Sequence, residues 1–273
     1  MNKMRMGTFP ETSPNNKVAI LGYHEITPEK SPKRYAITSE LFRGQLAWLK
    51  GNGYKTTSLT DICEALIQKN GLPEKNIVLT FDDGLLNHYE IAFPMLKEFG
   101  FTATFFVIAG SVGKDGYLTF PHLKELLAAG MTIGSHGFSH GLLTLLPQEK
   151  IIEEFRASKE ILERALLSPI QFLSIPRGQD NEKIREIAKN SGYRVICISR
   201  AGYIDIKSDA CALNRLFLRN YNTLSDFKKI VRGDKFIRIQ MYIKELVFGL
   251  LRNILGMKLY EKMRMMILKS DYV

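Results

Sequence analysis

Short apolar runs alternate along the chain with segments whose apolar residues recur every three or four positions. Residues 17–23 (KVAILGY) and 76–81 (NIVLTF) are apolar runs of strand length, the pattern of buried strands. Residues 39–52 place Leu41, Phe42, Gln45, Leu46 and Leu49 at helical spacing, with Ser39 as the expected N-cap and Gly51 and Gly53 as stops. The same pattern returns over 58–70, ended by Gly71 and Pro73. Further helices are expected over 88–99 (closed by Gly100), 121–129, 148–166 and 181–191 (stopped by Gly192). Further strands are expected over 102–108, 131–135, 170–175, 193–199 and 212–218. Strands separated by helices predict βα units around a parallel sheet or barrel, with functional groups at the strand C-terminal ends. The simplest division is a loose stretch 1–16, one domain over 17–233, and a helical tail over 234–273.

Composition adds little to this picture. With 273 residues, 45% hydrophobic and 24% charged, the chain can bury a core without disulfides. Cys63, Cys197 and Cys211 are far apart, odd in number and outside any C-x-x-C pair, so three free thiols in a reducing compartment are expected. No apolar run of signal-peptide length follows the early basic residues. The apolar stretch 236–257 carries Arg238, Lys244, Glu245 and Arg252, each costly at a bilayer centre. A cytoplasmic protein is expected, with a peripheral position on the inner face of the membrane as its extension.

Charge changes the picture more. Of the net +10, a local +7 lies from Lys228 onward, where eleven Lys or Arg face four Asp or Glu. The basic character therefore belongs to the tail, which argues against a nucleic-acid partner for the body. In the tail Arg238, Glu245 and Arg252 recur every seven residues. This predicts a helix packed on the domain with one polar stripe in water. Peripheral contact with an anionic membrane surface is the other reading.

Two segments carry the candidate chemistry. Thr80-Phe81-Asp82-Asp83-Gly84 follows an apolar strand. Adjacent buried carboxylates repel each other unless a cation neutralises one and leaves the other to handle protons. A solvated Asp-Gly turn is the bland reading of the same residues. About fifty residues on, Ser135-His136-Gly137-Phe138-Ser139-His140 ends another strand. Two histidines four apart can face one way on a helical turn and serve one metal. Asp83, His136 and His140 make a three-ligand set with open positions, the usual form of a catalytic zinc site. Asp82 beside them is the candidate general base, and the combination points to amide or ester hydrolysis.

T-F-D-D-G followed by S-H-x-x-x-H resembles the polysaccharide deacetylase (NodB homology) family, carbohydrate esterase family 4. The resemblance spans roughly 18–233 and includes Gly22-Tyr23-His24, Ala92-Phe93-Pro94-Met95-Leu96 and Thr102-Ala103-Thr104-Phe105-Phe106-Val107. It implies an α/β fold, a distorted (β/α) barrel of the NodB type, here with a C-terminal helical extension. It implies Asp82 as base and Asp83, His136 and His140 as ligands of a divalent metal, zinc first, with cobalt or another divalent ion also able to serve. The implied reaction is release of acetate from an N-acetylhexosamine unit of a glycan, or of a lipid-linked or nucleotide-sugar precursor.

The chain departs from the family pattern twice. In the R-x-P-x-G loop Pro176 and Gly178 match, but the arginine that orients the base is replaced by Ser174. Arg177 is the candidate to supply a guanidinium instead. The family's L-x-L-x-H segment, whose histidine is the general acid, reads Ala212-Leu213-Asn214-Arg215-Leu216-Phe217-Leu218-Arg219, and no histidine follows His140. His24 is then the best remaining acid, weighed against a histidine that only fixes the barrel mouth. Tyr23, Pro176, Gly178 and Arg215 complete the expected site as substrate-binding residues, Arg215 for an anionic intermediate or a phosphate. The alternative is a catalytically impaired member that binds glycan or scaffolds a biosynthetic complex.

Overall fold

The computed structural model describes residues 12–13, 17–178 and 180–237, and part of the stretch 239–259. In chain order its strands are β1 (Thr12–Ser13), β2 (Ala19–Tyr23), β3 (Glu25–Thr27), β4 (Ala36–Thr38), β5 (Lys55–Thr56), β6 (Leu72–Pro73), β7 (Asn76–Phe81), β8 (Thr104–Val107), β9 (Thr132–Ser135), β10 (Phe172–Ser174), β11 (Val195–Cys197) and β12 (Leu216–Phe217). The α-helices are α1 (Ser39–Gly51), α2 (Leu59–Gln68), α3 (Phe93–Phe99), α4 (Phe120–Ala128), α5 (Gln148–Leu166), α6 (Glu182–Asn190) and α7 (Leu224–Arg232).

Eight strands form one sheet in the order β11-β10-β9-β8-β7-β2-β12, with β5 paired to the start of β7. Every ladder within it is parallel. A parallel bridge from Cys197 to Leu213 joins one edge to the segment entering β12, so the curled sheet returns on itself as a distorted (β/α) barrel. Small antiparallel and parallel ribbons, β1 with β6 and β3 with β4, lie outside it.

Strand alternation sorts side chains to two faces. Leu21, Leu79, Phe81, Phe105, Ile133 and Leu173 point outward into the large core shared with α1 and α3 to α7. Ile20, Val78, Phe106, Phe172, Val195 and Cys197 point inward and meet Leu59, Ile62 and Leu66 of α2. Two inward positions are glycine for steric reasons. A Cβ on Gly22 would lie 2.5 Å from the Phe217 ring, and one on Gly134 would lie 2.6 Å from the Phe106 ring. Continuing the inward register past the strand ends gives Asp82 after β7, His136 after β9 and Arg215 before β12, with Ser174 closing β10.

The expected elements appear with local shifts. The cap of α1 is Thr38, whose hydroxyl accepts from Leu41 N, so Ser39 is already helical. Ser58 and Asp61 form a capping box on α2. The segment 88–99 divides into a π turn, His88–Ala92, and α3. α7, with its own Thr223 and Asp226 box, and the β3–β4 ribbon are not foreseen from the sequence. Of the stretch expected to be loose, Thr12–Ser13 pairs as β1, while residues 1–11 and 14–16 lie outside the described residues. Cys63, Cys197 and Cys211 are free, the first two buried.

Beyond Asp234, where a packed helix is expected, the described side chains include both packed and exposed ones. Ile237 packs against the large core, but Ile239, Ile243, Leu246, Val247, Leu250, Ile254 and Leu259 are exposed, each by 46% or more. Among the described residues no helix is long and apolar enough to cross a membrane. The remainder of the tail, including 260–273, lies outside the described residues.

Candidate active site

Asp82 and Asp83 leave the buried end of β7 in opposite directions. The Asp82 amide donates to Tyr23 O at 2.9 Å, extending the β2–β7 ladder by one step. Asp83 then takes a positive φ of 76°, followed by Gly84 at 69°. The left-handed region costs a non-glycine residue about 1–3 kcal/mol, and here it turns the second carboxylate away from the first.

The histidines sit in an irregular loop and not on a helical turn. Gly137 and His140 both have positive φ (72° and 60°), which brings the two imidazoles to 4.9 Å between ring centres. Glu154, from α5, fastens this loop: its carboxylate accepts from Phe138 N, Ser139 N and Ser139 Oγ at 2.6–3.0 Å. Glu154 reads as one more polar residue of an amphipathic helix, so no local signal marks it.

Asp83 Oδ1 lies 3.4 Å from His136 Nε2 and 3.4 Å from His140 Nε2. The three donor atoms all fall within 4.8 Å of one another. His136 Nδ1 donates to Ser174 O at 2.8 Å, which fixes the tautomer with a lone pair on Nε2. Asp83 Oδ1 is buried without a hydrogen-bond partner. Lone pairs thus converge on one point, as a divalent cation requires, and tetrahedral ligands at zinc distances stand about 3.3 Å apart.

The electrostatics agree. Burial opposes ionisation of Asp83, but His136 foremost, and with it His24 and His140, holds the carboxyl well below the usual carboxylate range. Burial lowers His136, yet Asp82 and Asp83 outweigh it and the net shift is upward. His140 is pushed down to about 4 by burial and then by His136.

Asp82 has a different partner from the one the sequence suggests. Arg215, fully buried, clamps it with Nη1 to Oδ1 at 2.7 Å and Nη2 to Oδ2 at 2.8 Å. Burial would raise the Asp82 pKa, but the Arg215 charge leads the opposing effects and brings it to about 2. Arg215 is therefore not a substrate contact: its guanidinium is enclosed, over the Phe217 and Phe106 rings at 4.6 and 5.5 Å.

The guanidinium seen against Asp82 is that of Arg215, while Arg177, expected to supply one, lies beside the histidine loop. Its Nε donates to His140 O at 3.3 Å, and its backbone has φ of 56°, so it braces the histidine loop. Tyr23 is also corrected: fully buried, it points to the outer core and its hydroxyl donates to Gln45 Oε1 at 2.8 Å. Pro176 is buried against Gly137, and a Cβ on Gly178 would overlap the Ser199 side chain at 2.0 Å. These two residues shape the loop.

His24 follows β2 directly, next to Asp82 across the ladder. Its ring stacks on Tyr35 at 4.7 Å and lies 5.2 Å from Phe217. Its Nδ1 is buried without a partner, and burial lowers its pKa against the pull of Asp83 and Asp82. His88 is fully buried and its Nε2 donates to His24 O. His122 completes the cap of α4 by accepting from Thr119 N.

Known proteins resemble this chain in sequence and fold. A family profile described as Polysaccharide deacetylase matches residues 69–196. YxkH of Bacillus subtilis (strain 168), which carries a polysaccharide-deacetylase name, is 30% identical over 200 residues, covering 73% of this chain and 71% of that protein. The poly-beta-1,6-N-acetyl-D-glucosamine N-deacetylase of Staphylococcus aureus (strain MRSA252) is 24% identical over 206 residues, 66% of this chain and 71% of that one. Among solved structures, the Streptococcus pyogenes deacetylase PplD superposes with a TM-score of 0.74 at 26% identity, over 80% of this chain and 99% of that one. IcaB from Ammonifex degensii gives 0.69 at 26% identity, over 83% and 98%. By sequence and by fold, the chain belongs to the polysaccharide deacetylase family and is a hydrolase of that type, acting on carbon–nitrogen non-peptide bonds.

Proposed function

We propose that the chain removes N-acetyl groups from an N-acetylhexosamine-containing glycan or its precursor, using a divalent metal, zinc first, held by Asp83, His136 and His140. The observation that carries this is the convergence of two imidazole nitrogens on the partnerless, buried Asp83 Oδ1. The named activity of the staphylococcal relative supports the sugar class.

When bound, a divalent ion polarises the acetyl carbonyl and acidifies water. The remaining work falls to the chain's own groups. Asp82 accepts the proton of the attacking water as its oxygen adds to the acetyl carbon. The carbon–nitrogen bond then breaks, the amine takes a proton, and acetate leaves. His24 is the donor we assign to that amine, because it is the imidazole next to Asp82 that is not needed as a ligand. Ser174, through its carbonyl, keeps His136 in the ligating tautomer.

Acetate release from β-1,6-linked N-acetylglucosamine oligomers and chito-oligosaccharides, with zinc or cobalt added, tests the reading. Asp82→Asn is expected to keep its metal and lose about 100-fold or more in kcat. Wild-type protein that neither binds metal nor releases acetate would leave a glycan-binding scaffold in its place.

A second proposal concerns where the domain works. The exposed apolar side chains between Phe236 and Leu259 lie within 228–273, a stretch that carries eleven Lys or Arg against four Asp or Glu. That combination suits an anionic membrane surface, and it would hold the barrel close to lipid-linked glycans.

A further inference from the structure

We propose that Arg215 is the positioning residue for Asp82, a guanidinium relocated from position 174 on β10 to the segment entering β12. This rests on the reading of Asp82 as the base. Ser174 and Arg215 meet inside the barrel: Arg215 Nη2 donates to Ser174 Oγ at 2.7 Å, and Ser174 Oγ donates to Asp82 Oδ2 at 3.2 Å. Both residues are fully buried, and Asp82 is 2% exposed. The serine fills the space between the guanidinium and the strand from which the family pattern would deliver it.

Barrel closure makes the relocation possible. Ser174 is registered with Cys197 of β11, and Cys197 is bridged to Leu213. Arg215, two residues further on, therefore shares the inner face with Ser174 while lying two strands from β7. The strand between them, β2, presents Gly22 at this level, and Phe217 fills the space beside it. The guanidinium rests over Phe217 and donates from Nε to Ile198 O and from Nη1 to Thr80 Oγ1. Its fork meets both carboxylate oxygens, a geometry that lysine cannot reproduce.

The clamp also selects an oxygen. An ionised carboxylate offers about four lone-pair sites. Nη1 takes one on Oδ1, while Nη2 and Ser174 Oγ take both on Oδ2. The remaining lone pair is on Oδ1, so the geometry assigns proton acceptance to Asp82 Oδ1.

A reciprocal exchange tests the inference. Arg215→Ser and Ser174→Arg each break the pair, one by removing the guanidinium and the other by forcing two into one buried site. The double variant S174R/R215S returns a single guanidinium to the same carboxylate. We expect each single variant to lose about 100-fold in kcat with KM unchanged, and the double variant to recover at least about 10-fold of that loss. Cobalt absorption of each variant reports whether the metal site is intact. Arg215→Lys, which keeps the charge and loses the fork, covers the case in which Arg215→Ser does not fold. It is expected to bind cobalt normally and turn over about 10-fold more slowly. Wild-type kcat in Arg215→Lys, or a double variant that binds cobalt but is no faster than the single ones, would overturn the inference. Crystal structures of Arg215→Lys and the double variant decide it independently of turnover. The Asp82 carboxylate should swing in the first and return in the second; an unmoved carboxylate in both overturns the clamp, whereas an inactive wild type overturns only the deacetylase reading.

Discussion

His88 illustrates how one buried group ties stability to pH. It packs beside the stacked Phe81 and Phe105 rings and donates to the carbonyl of His24, which holds the first loop of the mouth in place. Burial lowers its pKa from 6.5 to about 4. Between those values the unfolded chain takes up a proton that the folded chain refuses, so stability is full above the window and falls as pH drops through it. The loss amounts to about 3 kcal/mol by the lower end. Urea unfolding in chelator, near neutral pH and near the lower end, should show this extra loss in the wild type and not in His88→Gln. Equal losses in the two proteins would mean that His88 is not held neutral. The surrounding site residues follow the same logic of pairing: TFDDG marks Asp82 as a candidate buried carboxylate, with a solvated turn as the other reading, and its partner lies 133 residues away in sequence.

The loop after β9 is the element on which the metal reading depends most. Its shape comes from positive φ at Gly137 and His140 and from Glu154 reaching across from α5. Glu154→Ala removes acceptors from two backbone amides and one hydroxyl, leaving the histidines in place but loosely held. We expect about 10-fold weaker cobalt or zinc affinity, measured by titration, with the melting temperature of the metal-free protein little changed. Unchanged affinity would show that the turn is rigid without its acidic anchor. At this scale the sequence is informative where periodicity is local. β7 and α5 have the bounds that the pattern predicts, and Ser58 caps α2 as its hydroxyl allows. The β3–β4 ribbon escapes notice because each of its strands is only three residues long, whereas α7 is written locally in the Thr223 and Asp226 box and in the helical spacing of Phe227, Ile230 and Val231.

Across the molecule, the barrel and the tail follow different rules. The barrel hides its apolar residues on both faces of the sheet. In the tail, many of the described apolar side chains are exposed to solvent beside a positive charge excess. If the tail serves a membrane, the full chain should float with vesicles containing anionic phospholipid, and release should follow added salt. A chain ending after Gly233, just past the cap of α7, should stay behind while still binding cobalt. Equal flotation of the two, or of neither, removes the membrane reading, and a concentration-dependent dimer of the full chain would put a second copy on that face.

By itself the sequence determined the alternation of strands and helices, the two strand-end segments that bear the carboxylates and histidines, and the family they resemble. These are local facts, because hydrophobic period and turn chemistry act over a few residues. Only the tertiary structure decided which distant groups meet them. Closure of the sheet through Cys197 and Leu213 sets Arg215 against Asp82 and Ser174. It also turns Tyr23 into the core and gives Arg177 to the histidine loop. A side chain's partner depends on which strands lie beside each other and in what register, and that is settled by the whole barrel.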